Sequence, residues 1–321
     1  MLGYTIKRLL QMVLVLFAVS VIVFLMMSFT GDPVFMVIPI DSTAAEIEQA
    51  RRLLGLDQSL LSQYWIFLSN LLQGDFGRSY VFRQPAMDLI LERLPATVEM
   101  VLVAITIATV VAVPLGVYAG ANPNKPASRG IMAGSLLGIS LPGFWVGMML
   151  IFFFSVRHQL LPSSGRGDTV EILGLRLSIL TADGWSHIIL PALTLALATL
   201  AIMLRITRAG MMEVMRQDYI RFARAKGASR RNILFKHGLK NALIPVVTIF
   251  GLQLGDLIAF ATITETIFAW PGTGKLLIDS IYRGDRPVIV VYLMLTAFIF
   301  VAINFIVDIV YTLIDPRITV K

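Results

Sequence analysis

Six apolar stretches run along the chain at positions 9–29, 98–120, 131–156, 188–206, 243–267 and 288–313. Each is close to or above the ~20 residues that a helix needs to cross a hydrocarbon core. The pattern predicts an all-α polytopic transmembrane bundle of about six spans. Lys7 and Arg8 precede the first stretch as they would in a signal peptide. Its length, and the lack of a small-residue cleavage site before "TGDPVF", predict an uncleaved anchor helix instead. The expected regions are 1–30 (N-terminus and first span), 31–97 (an outside segment) and 98–321 (a five-span core with an inner loop at 207–242).

The segment 31–97 has helical patterning of its own. "TAAE", Thr43 to Glu46, reads as a capping box that starts a helix, and Gly55 should end it. Farther on, Leu61, Tyr64, Trp65, Leu68, Leu71 and Leu72 recur at helical spacing. They predict an amphipathic helix, either at the membrane interface with Tyr64 and Trp65 at headgroup depth, or packed as a lid on the bundle. Pro114, Pro142, Pro191 and Pro245 lie in or beside spans. The adjacent Pro142 and Gly143 of "ISLPGFWVG" predict a helix break beside a pathway.

Composition places these helices in a bilayer: 57% of residues are hydrophobic, 15% are charged, and mean hydropathy is +0.80. The net charge of +7 would suggest nucleic acid in a soluble chain, but its placement gives another reading. With the N-terminus inside, 16 of the 27 basic residues fall on inner segments, ten of them between Arg205 and Lys240. This excess puts both termini in the cytoplasm by the positive-inside rule, and no aromatic interleaving or binding fold supports a nucleic-acid partner. Without cysteine, disulfides and thiolate metal sites are excluded.

"WPGTGKLL", from Trp270, contains the Gly274–Lys275 pair of a phosphate-binding loop. Such a loop needs a glycine where Ala269 stands and a hydroxyl where Leu276 stands. The segment therefore does not read as a nucleotide site. It is expected outside, where Trp270, Pro271, Gly272 and Lys275 form an outer gate, a contact for a docked protein, or a structural turn.

The inner loop reads as two helices joined by a tight turn. Gly227 can take the left-handed conformation at a helix end, and Ser229 is placed to cap a second helix at Arg230. Tyr219, Phe222, Ala223 and Ala225 offer apolar or small surface among Arg221, Arg224, Lys226, Arg230 and Arg231. A basic interfacial helix that binds anionic lipid is the plain alternative. Small residues before a glycine tip suit a knob fitted into a protein groove.

The chain resembles a known family over nearly its whole length: the first of the two inner-membrane permeases of ABC importers for peptides, nickel and glutathione. The resemblance rests on "GDP" after the first span, "LGLDQSLLSQYW", "GDFGRS", "RLPATVEM", "SLPGFWVG", "ILPALTLA", "QDYIRFARAKGAS", "KHGLKNALIPVVT", "TETIFAWPGTGKLL" and "DPRI", in that order. It implies a type I importer permease in the bacterial inner membrane. Its partners would be a homologous second permease, two cytoplasmic ATPase subunits that hold ATP and Mg, and a soluble substrate-binding protein outside. This chain would bind no cofactor and catalyse no reaction. The inner turn would be the family's coupling helix, with Asp218, Tyr219, Arg221, Phe222, Ala223, Arg224, Ala225, Lys226, Gly227, Ala228 and Ser229 as its ATPase-coupling residues. The family pattern is kept at Ala223, Gly227 and Leu239 but lacks its acid, at Arg221, and its proline, at Lys240.

Four carboxylates lie in or at the edges of spans: Glu99, Asp256, Glu265 and Asp308. Such groups are costly in hydrocarbon and face the bundle interior or water. Asp256, deep in the fifth span, is the leading pathway candidate, with Gln253, Phe144, Trp145 and Glu265 beside it in the reading. A hydrogen-bonded structural role against a partner permease is the alternative for Asp256, and Glu99, Glu265 and Asp308, near span ends, have a structural reading. His158, His187 and His237 are scattered and predict no metal cluster. A proton- or ion-coupled secondary transporter using Asp256 and Glu265 is the rival function, although nothing in such a carrier calls for the basic inner loop.

Overall fold

The computed structural model describes residues 2–29, 34, 38, 42–53 and 55–314. The "GDP" and "DPRI" motifs, with Arg317 and Lys321, lie outside the described residues. In chain order the elements are α1 (Leu2–Phe29), α2 (Ala44–Leu53), α3 (Leu60–Leu72), α4 (Ala86–Ala121), α5 (Pro126–Ser140) and α6 (Gly143–Leu150), which a π-helical stretch continues over Ile151–Arg157. A hairpin of β1 (Val170–Ile172) and β2 (Leu175–Leu177) follows, then α7 (Ala182–Val214), α8 (Asp218–Ala225), α9 (Arg230–Asn232) with a π-helical stretch over Ile233–Leu239, α10 (Lys240–Ile267), α11 (Thr273–Arg283) and α12 (Arg286–Ile314).

Two compact units emerge, one of residues up to 94 with 273–301, the other of 95–272 with residues from 302 on. Residues 273–301 belong to the N-terminal unit. The cause is a shared core in which Leu276, Val288, Val291 and Tyr292 pack with Ala86, Leu89 and Ile90. Buried Asp285 adds to it, accepting from the Ser79 hydroxyl and from the Tyr80 amide at 3.0 Å.

In that unit the capping box forms as read. The Thr43 amide donates to Glu46 Oε2 (2.7 Å) and the Glu46 amide to Thr43 Oγ1 (3.4 Å). The bonds from Thr43, backbone then hydroxyl, hold the Glu46 carboxyl below its ordinary pKa. Gly55 ends the helix at φ +68°. On α3, Tyr64 turns toward α1, where its hydroxyl meets Ser20 Oγ (3.0 Å) and its ring packs edge-on against Phe17 and Phe24. Tyr64 thus packs α3 against α1. Trp65 remains 68% exposed.

Among the described residues, five helical segments are long and apolar enough to cross a membrane: Ile6–Phe29, Ala86–Ala121, Ala182–Val214, Pro245–Ile267 and Arg286–Ile309. The expected third span is a pair, Pro126–Ser140 and Gly143–Arg157, bent by 102°. Leu141 and Pro142 are extended (ψ 131° each), so the predicted break falls where the proline and glycine stand. α4, α7 and α10 run unbroken through Pro114, Pro191 and Pro245.

The bent pair joins opposite ends of the second unit. Glu99 and Asn122 lie about 34 Å apart along α4 at 1.5 Å per residue. Ser128 Oγ donates to the Asn122 carbonyl (2.6 Å) near the start of α5. Past the pair, Arg166 meets Glu99 (2.8 Å) and the Gly165 amide donates to the Phe268 carbonyl (2.9 Å). The pair with the connection that follows it thus runs from one end of this unit to the other.

What holds α4 on α7 is a stripe of small residues. Ala96, Ala104, Ala108 and Ala112 recur at multiples of four and are fully buried, and Gly116 and Gly120 continue the row. A methyl on Gly120 would stand 2.6 Å from Met211 Cβ and 2.7 Å from the Arg208 carbonyl; one on Gly116 would stand 2.9 Å from the Leu204 carbonyl. Lipid tails are as apolar as side chains, so helices in a bilayer associate through such close backbone approach.

Candidate functional site

At the Asn122 end of this unit, α7 runs to Val214, beyond its apolar part. Glutamine at 217 is extended (φ −68°, ψ 148°) and breaks what the sequence suggested was one helix from 205 to Gly227. The short α8 that follows is pinned by Ile220, which is fully buried, and by Tyr219, whose hydroxyl accepts from Asn241 Nδ2 at 2.8 Å.

The turn after α8 has the predicted form. Gly227 takes φ +81°, its amide donates to the Arg224 carbonyl (3.0 Å), and the Ala228 amide reaches back to Ala223 (3.2 Å). This is the paired-bond Schellman ending, which favours glycine because a left-handed residue with a side chain is strained. Ser229 Oγ then accepts from the Asn232 amide (3.3 Å) and caps α9. The second helix does not stay separate: α9, the π-helical stretch and α10 follow without a gap, so the turn is built onto a spanning helix.

The tip is apolar at its centre and cationic around it. Phe222 is 62% exposed, with the Lys226 ammonium 4.5 Å from its ring centroid. Asp218 takes Arg221 at 3.3 Å, while Arg224, Lys226 and Gly227 are exposed and Ala223 and Ala228 half-buried. From Arg205 to Lys240 there are ten basic residues against two acidic ones. The connection 157–187 at the other end holds three of each.

That other end is a buried polar lock. Glu99 accepts from Arg166 Nη2 (2.8 Å), Ser178 Oγ (2.9 Å) and the Ile179 amide (2.7 Å), which fixes the β-hairpin segment to α4. A buried charge is tolerated when its oxygens are occupied in this way. Glu265 is fully buried and accepts from Thr97 Oγ1 (2.6 Å). Within this unit, then, Glu265 is held by Thr97. Trp270 is also fully buried, its indole donating to the Ala96 carbonyl (2.9 Å), and a side chain on buried Gly272 would collide with Glu265. Trp270 and Gly272 are thus packed into the interior of this turn. Pro271 is half-buried. In the first unit, Gly274 lies inside α11 and Lys275 Nζ is 2.7 Å from Asp279, an arrangement unlike an open phosphate cradle.

Of the pathway candidates, Gln253 and Asp256 come together, Nε2 donating to Oδ2 at 3.1 Å. They share a stripe of α10 with exposed Leu252, Phe260 and Ile263. Phe144 and Trp145 are exposed on α6. Trp145 lines an apolar cavity of about 500 Å³ with His158 and Leu197, and Asp256 is not part of that lining. The sequence reading missed the Glu99 lock, the hairpin and the Gly116–Gly120 approach. Its available signals were four-residue spacing of small residues and the pair Leu173–Gly174, which turns the hairpin with both φ positive (54° and 80°).

Two family models match the chain: the binding-protein-dependent transport system inner membrane component over residues 112–320, and the N-terminal region of that component over 1–101. The glutathione transport system permease protein GsiC of Escherichia coli (strain K12) is 42% identical over 322 residues, covering 100% of both chains. The GsiC of Shigella dysenteriae serotype 1 (strain Sd197) matches with the same identity and coverage. Among solved structures, an inward-facing MetNI methionine ABC transporter aligns with TM-score 0.56 at 20% identity, covering 71% of this chain and 97% of that one; this similarity bears on the fold. The chain belongs to the inner-membrane components of binding-protein-dependent transport systems, as a multi-pass permease subunit of an ABC importer whose ATPase activity resides in partner subunits.

Proposed function

We propose that this permease forms half of a pathway for peptides or related small solutes such as glutathione, and that Asp218 to Ser229 are its coupling element. Both termini face the cytoplasm in this reading, and the ten-to-two cation excess supports that orientation. A homologous second permease completes the pathway against the α10 stripe that carries Gln253 and Asp256. Two ATPase subunits bind ATP and Mg, and each receives a coupling turn in a surface groove; this chain holds no cofactor. A soluble binding protein delivers substrate at the Glu99 end.

The observation that carries the reading is Phe222, a large aromatic exposed at the tip of a turn closed by Gly227 and Ser229 and built onto α10. A stiff link transmits displacement, whereas a floppy loop would absorb it. Closure of the ATPases on ATP would favour one arrangement of the bundle by its differential contacts with the tip, and several kcal/mol are needed for a full switch. Uptake of labelled dipeptides, oligopeptides and glutathione by cells carrying the complex should be stopped by vanadate and survive an uncoupler. Transport that persists in vanadate and collapses with the uncoupler would overturn the reading in favour of an ion-coupled carrier.

A further inference from the structure

Beneath the coupling turn, α4 and the π-helical stretch enclose an open cavity of about 430 Å³. We infer that it holds the phosphate headgroup and the upper part of one acyl chain of an anionic phospholipid. Its walls are apolar and come from Val113, Val117, Leu234, Phe235 and Leu239. Lys125 and Arg230 also line it. Arg230 Nη2 donates to Asn122 Oδ1 (2.6 Å), a neutral partner, and neither cation meets a carboxylate among the described residues.

The order along α4 selects the ligand. Val113 to Ala121 covers about 12 Å of helix at 1.5 Å per residue and lies in a membrane-spanning segment, while Lys125 follows the helix end. The cavity is therefore apolar along the span and cationic at its mouth, matching the way a phospholipid stands in one leaflet. Basic pockets at the cytoplasmic ends of spanning helices suit anionic headgroups. A segment of a soluble partner has no reason to enter the apolar depth. Which leaflet supplies the lipid rests on the proposed orientation; the site itself does not. Because Arg230 follows the Ser229 cap and Leu234 and Leu239 belong to the link into α10, an occupied cavity would brace the base of the coupling turn.

Native mass spectrometry of the intact transporter, released from nanodiscs of equal phosphatidylglycerol and phosphatidylcholine, tests the site. Wild type should retain phosphatidylglycerol about tenfold over phosphatidylcholine. Lys125→Gln with Arg230→Gln should bring that ratio toward one, and Ala121→Trp, at the mouth, should lower retention of both lipids. Soluble glycerol phosphate should displace neither. All variants should keep the wild-type thermal midpoint, and the Gln pair gives a second test should Ala121→Trp not fold. No preference in wild type, a preference unchanged in the Gln pair, or displacement by glycerol phosphate, which would mark a free-phosphate site, each overturns the inference. Because retention is read without transport, it can fail while the transport reading stands.

Discussion

Gly227→Pro should leave the permease inserted in the membrane, yet cut uptake on the order of 100-fold and disconnect partner ATP hydrolysis from transport. Proline fixes φ near −65°, whereas Gly227 stands at +81°. It also removes the amide that donates to the Arg224 carbonyl. Together these cost about 3 kcal/mol or more locally, roughly 100-fold in the population of the native turn. The loss is confined to the tip, because a side chain at Gly227 would meet nothing within 4 Å. Gly227→Ala separates conformation from contact. It keeps the amide and adds only the left-handed strain, about 1–2 kcal/mol, so uptake should fall roughly tenfold. Wild-type uptake in the proline variant would remove the coupling role from this turn.

Gly120→Leu should have the largest effect on stability, lowering the thermal midpoint of the detergent-purified protein by roughly 3–5 °C. Overpacking a close contact costs about 1–3 kcal/mol, at times more, and a chain of 321 residues loses about 1.5 °C per kcal/mol. The obstacle is partly the Arg208 carbonyl, 2.7 Å from the first added carbon, and backbone cannot rotate away as a side-chain end can. Gly130→Leu is the control: the same change on α5, where an added carbon would meet nothing within 4 Å, should leave the midpoint within 1–2 °C or so. Equal losses in the two variants would contradict a cost set by the crossing, since helix propensity favours leucine over glycine at both sites.

The spans were legible because a bilayer allows few solutions: backbone groups must be satisfied internally, so about 20 apolar residues dictate a helix. The Pro142–Gly143 break and the Gly227–Ser229 turn were legible for a similar reason, since each is written in residues with narrow backbone preferences. Less visible was what long-range packing decides. Nothing local in Glu99 announces that Arg166, Ser178 and Ile179 will meet it. Nor does Trp270 reveal locally that the Ala96 carbonyl will take its indole. Gln217 ended α7's extension without a glycine or proline to mark the place. The alanine and glycine row on α4 was present in the sequence throughout, but only its tight fit against α7 gives it meaning.

Coupling through this turn requires Phe222 to touch an ATPase subunit. The chain has no cysteine, so Phe222→Cys introduces a unique thiol at an exposed position. Paired with single cysteines placed along the groove of the partner ATPase, it should give an oxidative cross-link at one or two groove positions, with a yield that changes when ATP is trapped by vanadate. A thiol at 222 that cross-links to no ATPase position and reacts with a membrane-impermeant reagent added outside intact cells would contradict the account.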